Sequence, residues 1–170
     1  MRAGLLVGLL AAAPVWAQGT FAPADPVREA AEALARDDFK GAAPWLEQAV
    51  AADPGNVELR FNLAFAYTQL DRDREAAEQY QKTLELKPDL EPARRNLAMV
   101  LLRAERFAEA APHLQALLEG GGDPQTRLYL ARALSQSGRL DEGLAEYRRL
   151  AEAEPGDARL RLETGQTLSA

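Results

Sequence analysis

The chain has no cysteine and a single histidine, His113. Disulfides, thiol catalysis and cysteine-ligated zinc or iron–sulfur sites are therefore excluded, and one imidazole cannot build a multi-histidine metal centre. Aromatic residues are scarce, 6% of 170, while hydrophobic residues reach 47% with alanine and leucine dominant. That mixture favours helices over a β-sandwich, so an all-α fold is expected. Positive charge is also in deficit, with 20 basic against 26 acidic residues and a formal net charge of −6. An acidic chain repels phosphate backbones and anionic membrane surfaces, which disfavours nucleic acid as a partner.

Long apolar runs are missing except at the start. Arg2 precedes the run Leu5 to Ala13, and Pro14 then leads into the small-residue signature Val15-Trp16-Ala17. This order of charge, apolar core and cleavage site predicts a secretory signal peptide over residues 1–17, removed after Ala17. A membrane anchor needs about 20 apolar residues, and Pro14 interrupts the run well before that. Without cysteine no lipoprotein anchor can form. Loss of Arg2 would leave 19 basic residues and a charge of −7, so a periplasmic or secreted chain with no stable membrane insertion is expected. Residues 18–25 read as a short leader before Pro26.

Downstream, three registers share one period. Leu63, Leu97 and Leu130 are 34 and 33 residues apart, and small residues follow them at Ala64, Ala98, Ala131 and Gly165. Ala42, Ala76, Ala110 and Gly143 form a second series, and Pro54, Pro88 and Pro155 a third, with Gly122 where a further proline would fall. Each period holds two amphipathic segments; Leu59, Leu63, Ala66, Tyr67 and Leu70 recur at helical spacing, as do Ala76, Ala77, Tyr80 and Leu84. The spacing predicts helices over 26–36, 39–52, 57–70, 73–86, 91–103, 107–119, 124–137, 140–153 and 158–168. Asp71, Asp73 and Asp141 suit N-caps or first turns, and Gly138 suits a left-handed helix end. Pro44 and Pro112 are read near helix starts, where a missing N–H costs little.

These residues resemble the tetratricopeptide repeat family. Residues 57–90 carry Leu63, Ala64, Tyr67, Ala76, Tyr80 and Pro88 at the matching positions, with Arg60 in place of the leading aromatic. Residues 124–157 match with Leu130, Ala131, Leu134, Gly143, Tyr147 and Pro155, led by Arg127. Residues 91–123 keep Leu97, Ala98, Leu101, Ala110 and Leu114 and replace the proline with Gly120-Gly121-Gly122. Residues 23–56 match through Phe39, Ala42, Leu46 and Pro54, although Glu29 takes a leucine position. The resemblance implies a right-handed α-solenoid of about four helix-turn-helix units, closed by a capping helix at 158–170. No hairpin could bury its apolar face alone, so each leans on the next.

Candidates for catalysis are few. Glu109 lies four residues before His113, but no nucleophile or glycine-rich loop accompanies them, and a surface histidine is the simpler reading. Asp37-Asp38 falls at an inter-helix turn, where acids cap helices. Gly120-Gly121-Gly122 lacks the lysine and hydroxyl of a phosphate loop and reads as a flexible joint. A non-enzymatic chain with no cofactor and no metal is expected.

Binding is the better prospect. In proteins of the family it resembles, the first helix of each pair lines a concave groove that contacts a peptide or partner helix. Carried onto this chain, the groove positions are Phe61, Phe65, Thr68 and Gln69, then Arg95, Met99, Leu102 and Arg103, then Leu128, Arg132, Ser135 and Gln136. Phe61 and Phe65 share a face at i and i+4, and Arg95, Arg103 and Arg132 would add positive charge. The partner expected is a protein or peptide with apolar anchors and acidic groups. A C-terminal carboxylate clamp is poorly supported, since only Asn62 and Asn96 match such a set. The resemblance and the leader together imply an exported scaffold for envelope assembly or secretion. A self-associating spacer is the alternative.

Overall fold

The computed structural model describes residues 25–153, which form eight helices in four hairpins. The first hairpin is α1 (Pro26–Leu34) with α2 (Phe39–Ala52), and the second α3 (Val57–Gln69) with α4 (Asp73–Leu86). The third is α5 (Glu91–Arg103) with α6 (Phe107–Glu119), and the fourth α7 (Pro124–Gln136) with α8 (Leu140–Ala153). Helix bounds follow the spacing within two residues. The expected signal segment, nearly all of the leader and the capping helix lie outside the described residues. Asp25, read as the end of the leader, is the N-cap of α1, its carboxylate accepting from the Val27 N–H at 3.0 Å.

Every extensive helix–helix contact among the described residues joins neighbours in sequence, from α1·α2 through to α7·α8. Distant hairpins do not pack into a globule. The architecture is an all-α solenoid, and its core runs as a strip along the stack. Small residues set the approach of each pair: Ala30, Ala64, Ala98 and Ala131 on the first helices and Ala42, Ala76 and Ala110 on the second are at most 1% exposed. At Gly143 the fit is tighter still. A Cβ there would lie 2.9 Å from the Ala131 carbonyl oxygen and 2.3 Å from the Ser135 hydroxyl oxygen.

The hairpin turns share a backbone device. Asp37, Asp71, Glu105 and Gly138 all have positive φ, 55°, 56°, 57° and 84°, at the same place in each unit. The residue after each turns its N–H back to the helix, as Arg72 does to the Tyr67 carbonyl at 2.9 Å and Arg139 to that of Leu134 at 2.9 Å. Gly138 therefore has the expected conformation. Asp71 is corrected: it is the left-handed residue and not a cap, because the N-cap of α4 is Arg72. Asp73 and Asp141 are first-turn acids as read. Asp38 does cap, accepting from the Gly41 N–H at 2.9 Å.

Two further expectations change. Pro44 and Pro112 are the sixth residues of their helices, past the four free N–H groups of a helix start, so each removes a bond to the carbonyl four residues before. The Gly120-Gly121-Gly122 run is a hydrogen-bonded turn: Gly121 has φ 95°, and the Gly122 N–H donates to the Leu117 carbonyl at 2.9 Å.

Arginine replaces the leading aromatic for a reason visible in the joints. Arg60 donates through Nε to the Pro54 carbonyl at 2.7 Å and through Nη1 to Gln79 Oε1 at 3.1 Å. Arg94 donates likewise to the Pro88 carbonyl. In the fourth unit Arg127 Nη1 donates to Glu146 Oε2 at 2.6 Å. The residue at this position ties the connection from the preceding unit, the second helix of its own, or both. Glu146, 6% exposed, is also held by Arg149, so its buried charge is compensated.

Candidate interaction face on the first helices

The expected groove residues lie on α3, α5 and α7, and the structure divides them into three kinds. Phe65 and Met99 are open, 37% and 40% exposed, one on each of two successive first helices. Gln69 is also exposed and Leu102 is partly buried against the core. Phe61 is half-buried, its ring edge-on to Tyr80 at 5.7 Å, while Phe65 meets Phe39 of the preceding unit at 5.7 Å. The two phenylalanines share a face of α3, yet one packs forward and the other backward. Tyr80 is fully buried, and its hydroxyl accepts from Asn96 Nδ2 at 3.1 Å. Asn96 is thus bound within the stack.

Arg95 and Arg103 are paired with acids and do not stand free as the positive lining that the sequence suggested. Arg103 grips both carboxylate oxygens of Asp73, with Nε at 2.9 Å from each, and its Nη2 donates to the Thr68 carbonyl at 3.2 Å. Asp71 adds a further contact at 3.6 Å. This guanidinium clasps two units together. Arg95 pairs with Glu91 at 2.8 Å on its own exposed surface, and Arg132 is half-buried.

Leu128 is a correction. It is 6% exposed and packs with Ala131, Tyr147 and Leu150. It stands 19 residues before Tyr147, as Phe61 stands before Tyr80; the shorter aliphatic chain sinks fully under its tyrosine. Thr68 and Ser135 also turn inward, each hydroxyl donating at 2.9 Å to the carbonyl four residues before.

Sequence reasoning missed two hollows flanking the first turn of α3. One, of about 210 Å³, lies between α1 and α3 and is walled by Val27, Ala31, Leu34 and Leu59. The other, about 550 Å³, is bounded by Val57, Phe61, Leu90 and Pro92, with Lys87 at its edge. Glu58 borders both. Val27, at 49% exposure, stands in the first unit where Phe61 stands in the second, 34 residues on. That register was available in the sequence; the hollows were not, because one forms between two hairpins and Leu90 and Lys87 reach the other from a connection.

No acid–base pair forms at His113. Glu109 accepts from Arg106 instead, at 2.8 and 2.7 Å, which lowers its pKa. Burial, with Arg94 nearby, pushes the His113 imidazole below its ordinary value. Among the described residues no group of three or more His, Asp or Glu is placed to hold a metal, and no helix is long and apolar enough to cross a membrane.

The arrangement compares directly with known proteins. Among solved structures it is similar to YrrB, a TPR protein with an unusual peptide-binding site (TM-score 0.70, 22% identity, covering 85% of this chain and 75% of that one). It is also similar to MamA from Desulfovibrio magneticus RS-1 (TM-score 0.67, 19% identity, 84% and 81%). At these identities the likeness is one of fold. Among curated proteins it is 33% identical over 111 residues to the SGT1 homolog of Oryza sativa subsp. japonica and 36% identical over 84 residues to the peroxisomal targeting signal receptor of Saccharomyces cerevisiae. Those matches cover 64% and 49% of this chain but only 30% and 14% of the relatives. Tetratricopeptide repeats are in general non-catalytic interaction modules. The repeat family itself matches residues 33–98 and 101–163, most of the chain, and the protein belongs to the tetratricopeptide repeat family.

Proposed function

We propose that this protein is a non-catalytic scaffold that holds a peptide or protein partner along its first-helix face, and that it does so after export, in envelope assembly or secretion. One observation carries the binding reading. Of the four large apolar side chains that stand exposed among the described residues, Val27, Phe65 and Met99 lie on α1, α3 and α5 at groove positions, and only Leu86 lies elsewhere. A row of apolar side chains left open across three stacked helices is anchor chemistry. The names of a targeting-signal receptor and a peptide-binding TPR protein among its relatives and neighbours agree with this reading. The apolar anchors carry the affinity. Arg95 can contribute to carboxylate recognition, since its exposed pair with Glu91 is weak enough to exchange.

The test is a crosslinking pull-down from the native envelope with Phe65→Ala and Met99→Ala together. Loss of the captured partner with an unchanged helical signature by circular dichroism supports the scaffold, whereas identical capture by the variant overturns it. Sequencing the N-terminus of the exported protein tests the location; a chain still starting at Met1 overturns cleavage after Ala17.

A further inference from the structure

The two hollows beside α3 have a charge pattern that narrows the partner, granting the binding face proposed above. Both are walled largely by apolar groups, and Glu58 is the charged residue they share. Glu58 is exposed and has no ion-pair partner among the described residues. Three acids of the second and third units are already engaged: Glu91 holds Arg95, Asp73 holds Arg103 and Glu75 holds Arg72. An unpaired carboxylate between two apolar hollows matches a partner that presents a cation between two apolar side chains.

The spacing is set by α3 itself. The hollows flank its first turn, so they stand about one helix width, on the order of 10 Å, apart. In a polyproline-type extended strand, side chains three residues apart share a face and are separated by about 9 Å. We infer that this face takes an extended peptide with two apolar side chains at positions i and i+3 and a lysine or arginine between them. The apolar pair enters the hollows at Val27/Leu59 and at Phe61/Leu90, and the cation meets Glu58.

Three fluorescein-labelled peptides titrated into the full chain by anisotropy at low salt test this. One has the core Leu-Lys-Ser-Leu, the second Leu-Glu-Ser-Leu and the third Leu-Lys-Ser-Ser. The lysine peptide is expected to bind about two- to five-fold more tightly than the glutamate peptide, the range of an exposed ion pair. Glu58→Gln, a change at an exposed position, removes that preference, while Phe61→Ala weakens both leucine-pair peptides and leaves the preference in place. Loss of the second leucine costs more than loss of the lysine. Equal binding of the lysine and glutamate peptides, or a preference that survives Glu58→Gln, overturns the inference and leaves the apolar binding face standing. Binding of all three peptides that is insensitive to Phe61→Ala also overturns the inference, while the face itself stands or falls with the Phe65→Ala, Met99→Ala pull-down.

Discussion

Arg103 on α5 clasps Asp73, the first residue of α4, with both carboxylate oxygens engaged and a third donor on the Thr68 carbonyl. A residue that sequence reasoning assigned to a partner is thereby committed to holding two repeats together. Arg103→Ala is expected to lower stability by about 1 kcal/mol without weakening partner capture. Urea unfolding of Arg103→Ala, Asp73→Ala and the double variant separates the roles. Additive losses would show that the two side chains are not coupled.

The left-handed residue of each hairpin turn is glycine only at Gly138. Glu105 has φ 57° and is exposed, so Glu105→Gly relieves a strained backbone while adding freedom to the unfolded chain. A net gain of about 0.5–1 kcal/mol is expected. Gly138→Ala is expected to lose about 1 kcal/mol for the opposite reason. Equal thermal midpoints for these two variants would contradict the assignment.

Pro112 is exposed and occupies the sixth position of α6. Replacement by alanine restores the bond to the Ala108 carbonyl. A proline in a helix interior costs about 3 kcal/mol, partly offset by about 1 kcal/mol from its stiffening of the unfolded chain. Pro112→Ala and Pro44→Ala should therefore raise the unfolding midpoint, and a fall in either would mean that the helix is shaped by its proline.

Ala64 and Ala98 are fully buried where paired helices meet. Leucine at either position overpacks the joint and should cost about 1–3 kcal/mol. Gly143→Ala belongs to the same class, since the added methyl meets the Ala131 carbonyl within contact distance. Unchanged melting of all three would refute the close approach of the pairs.

His113 gives the folded chain a pH dependence of definite sign. Its folded pKa lies below the ordinary 6.5, chiefly through burial and then through Arg94, with Glu109 opposing. The unfolded chain therefore binds the proton first, so stability falls as pH drops through about 6.5 and is recovered above it. Glu109, Glu142, Glu75 and Asp123 have lowered pKa values, so their contributions are lost only at more acid pH, below about 4.5. Unfolding curves of wild type and His113→Gln between pH 7 and 5 should diverge, the variant being flatter; parallel curves would show that the imidazole titrates freely.

The helices, their ends and the repeat were legible in the chain because each is written locally or periodically. Leu63, Leu97 and Leu130 mark the same buried position wherever they recur, and Gly138 announces its turn by its own backbone freedom. The candidate face was only half legible. Phe65 and Met99 are open where the register put them, while Leu128, at an equivalent position to Phe61, is buried beneath Tyr147. A side chain's register states which way it points, and its own length against the same tyrosine decides whether it is covered.

Sequence alone determined the period, the eight helices described and the stacking of hairpins, since the 3.6-residue spacing of apolar side chains and the recurring small residues act over short range. Only the tertiary structure decided which charges are spent and where the surface stays hollow. Arg103 meets Asp73 across 30 residues of chain, and Leu90 closes a hollow whose other wall, Phe61, stands in a different helix. Such meetings depend on how one hairpin sits against the next, and no single stretch of residues records that distance.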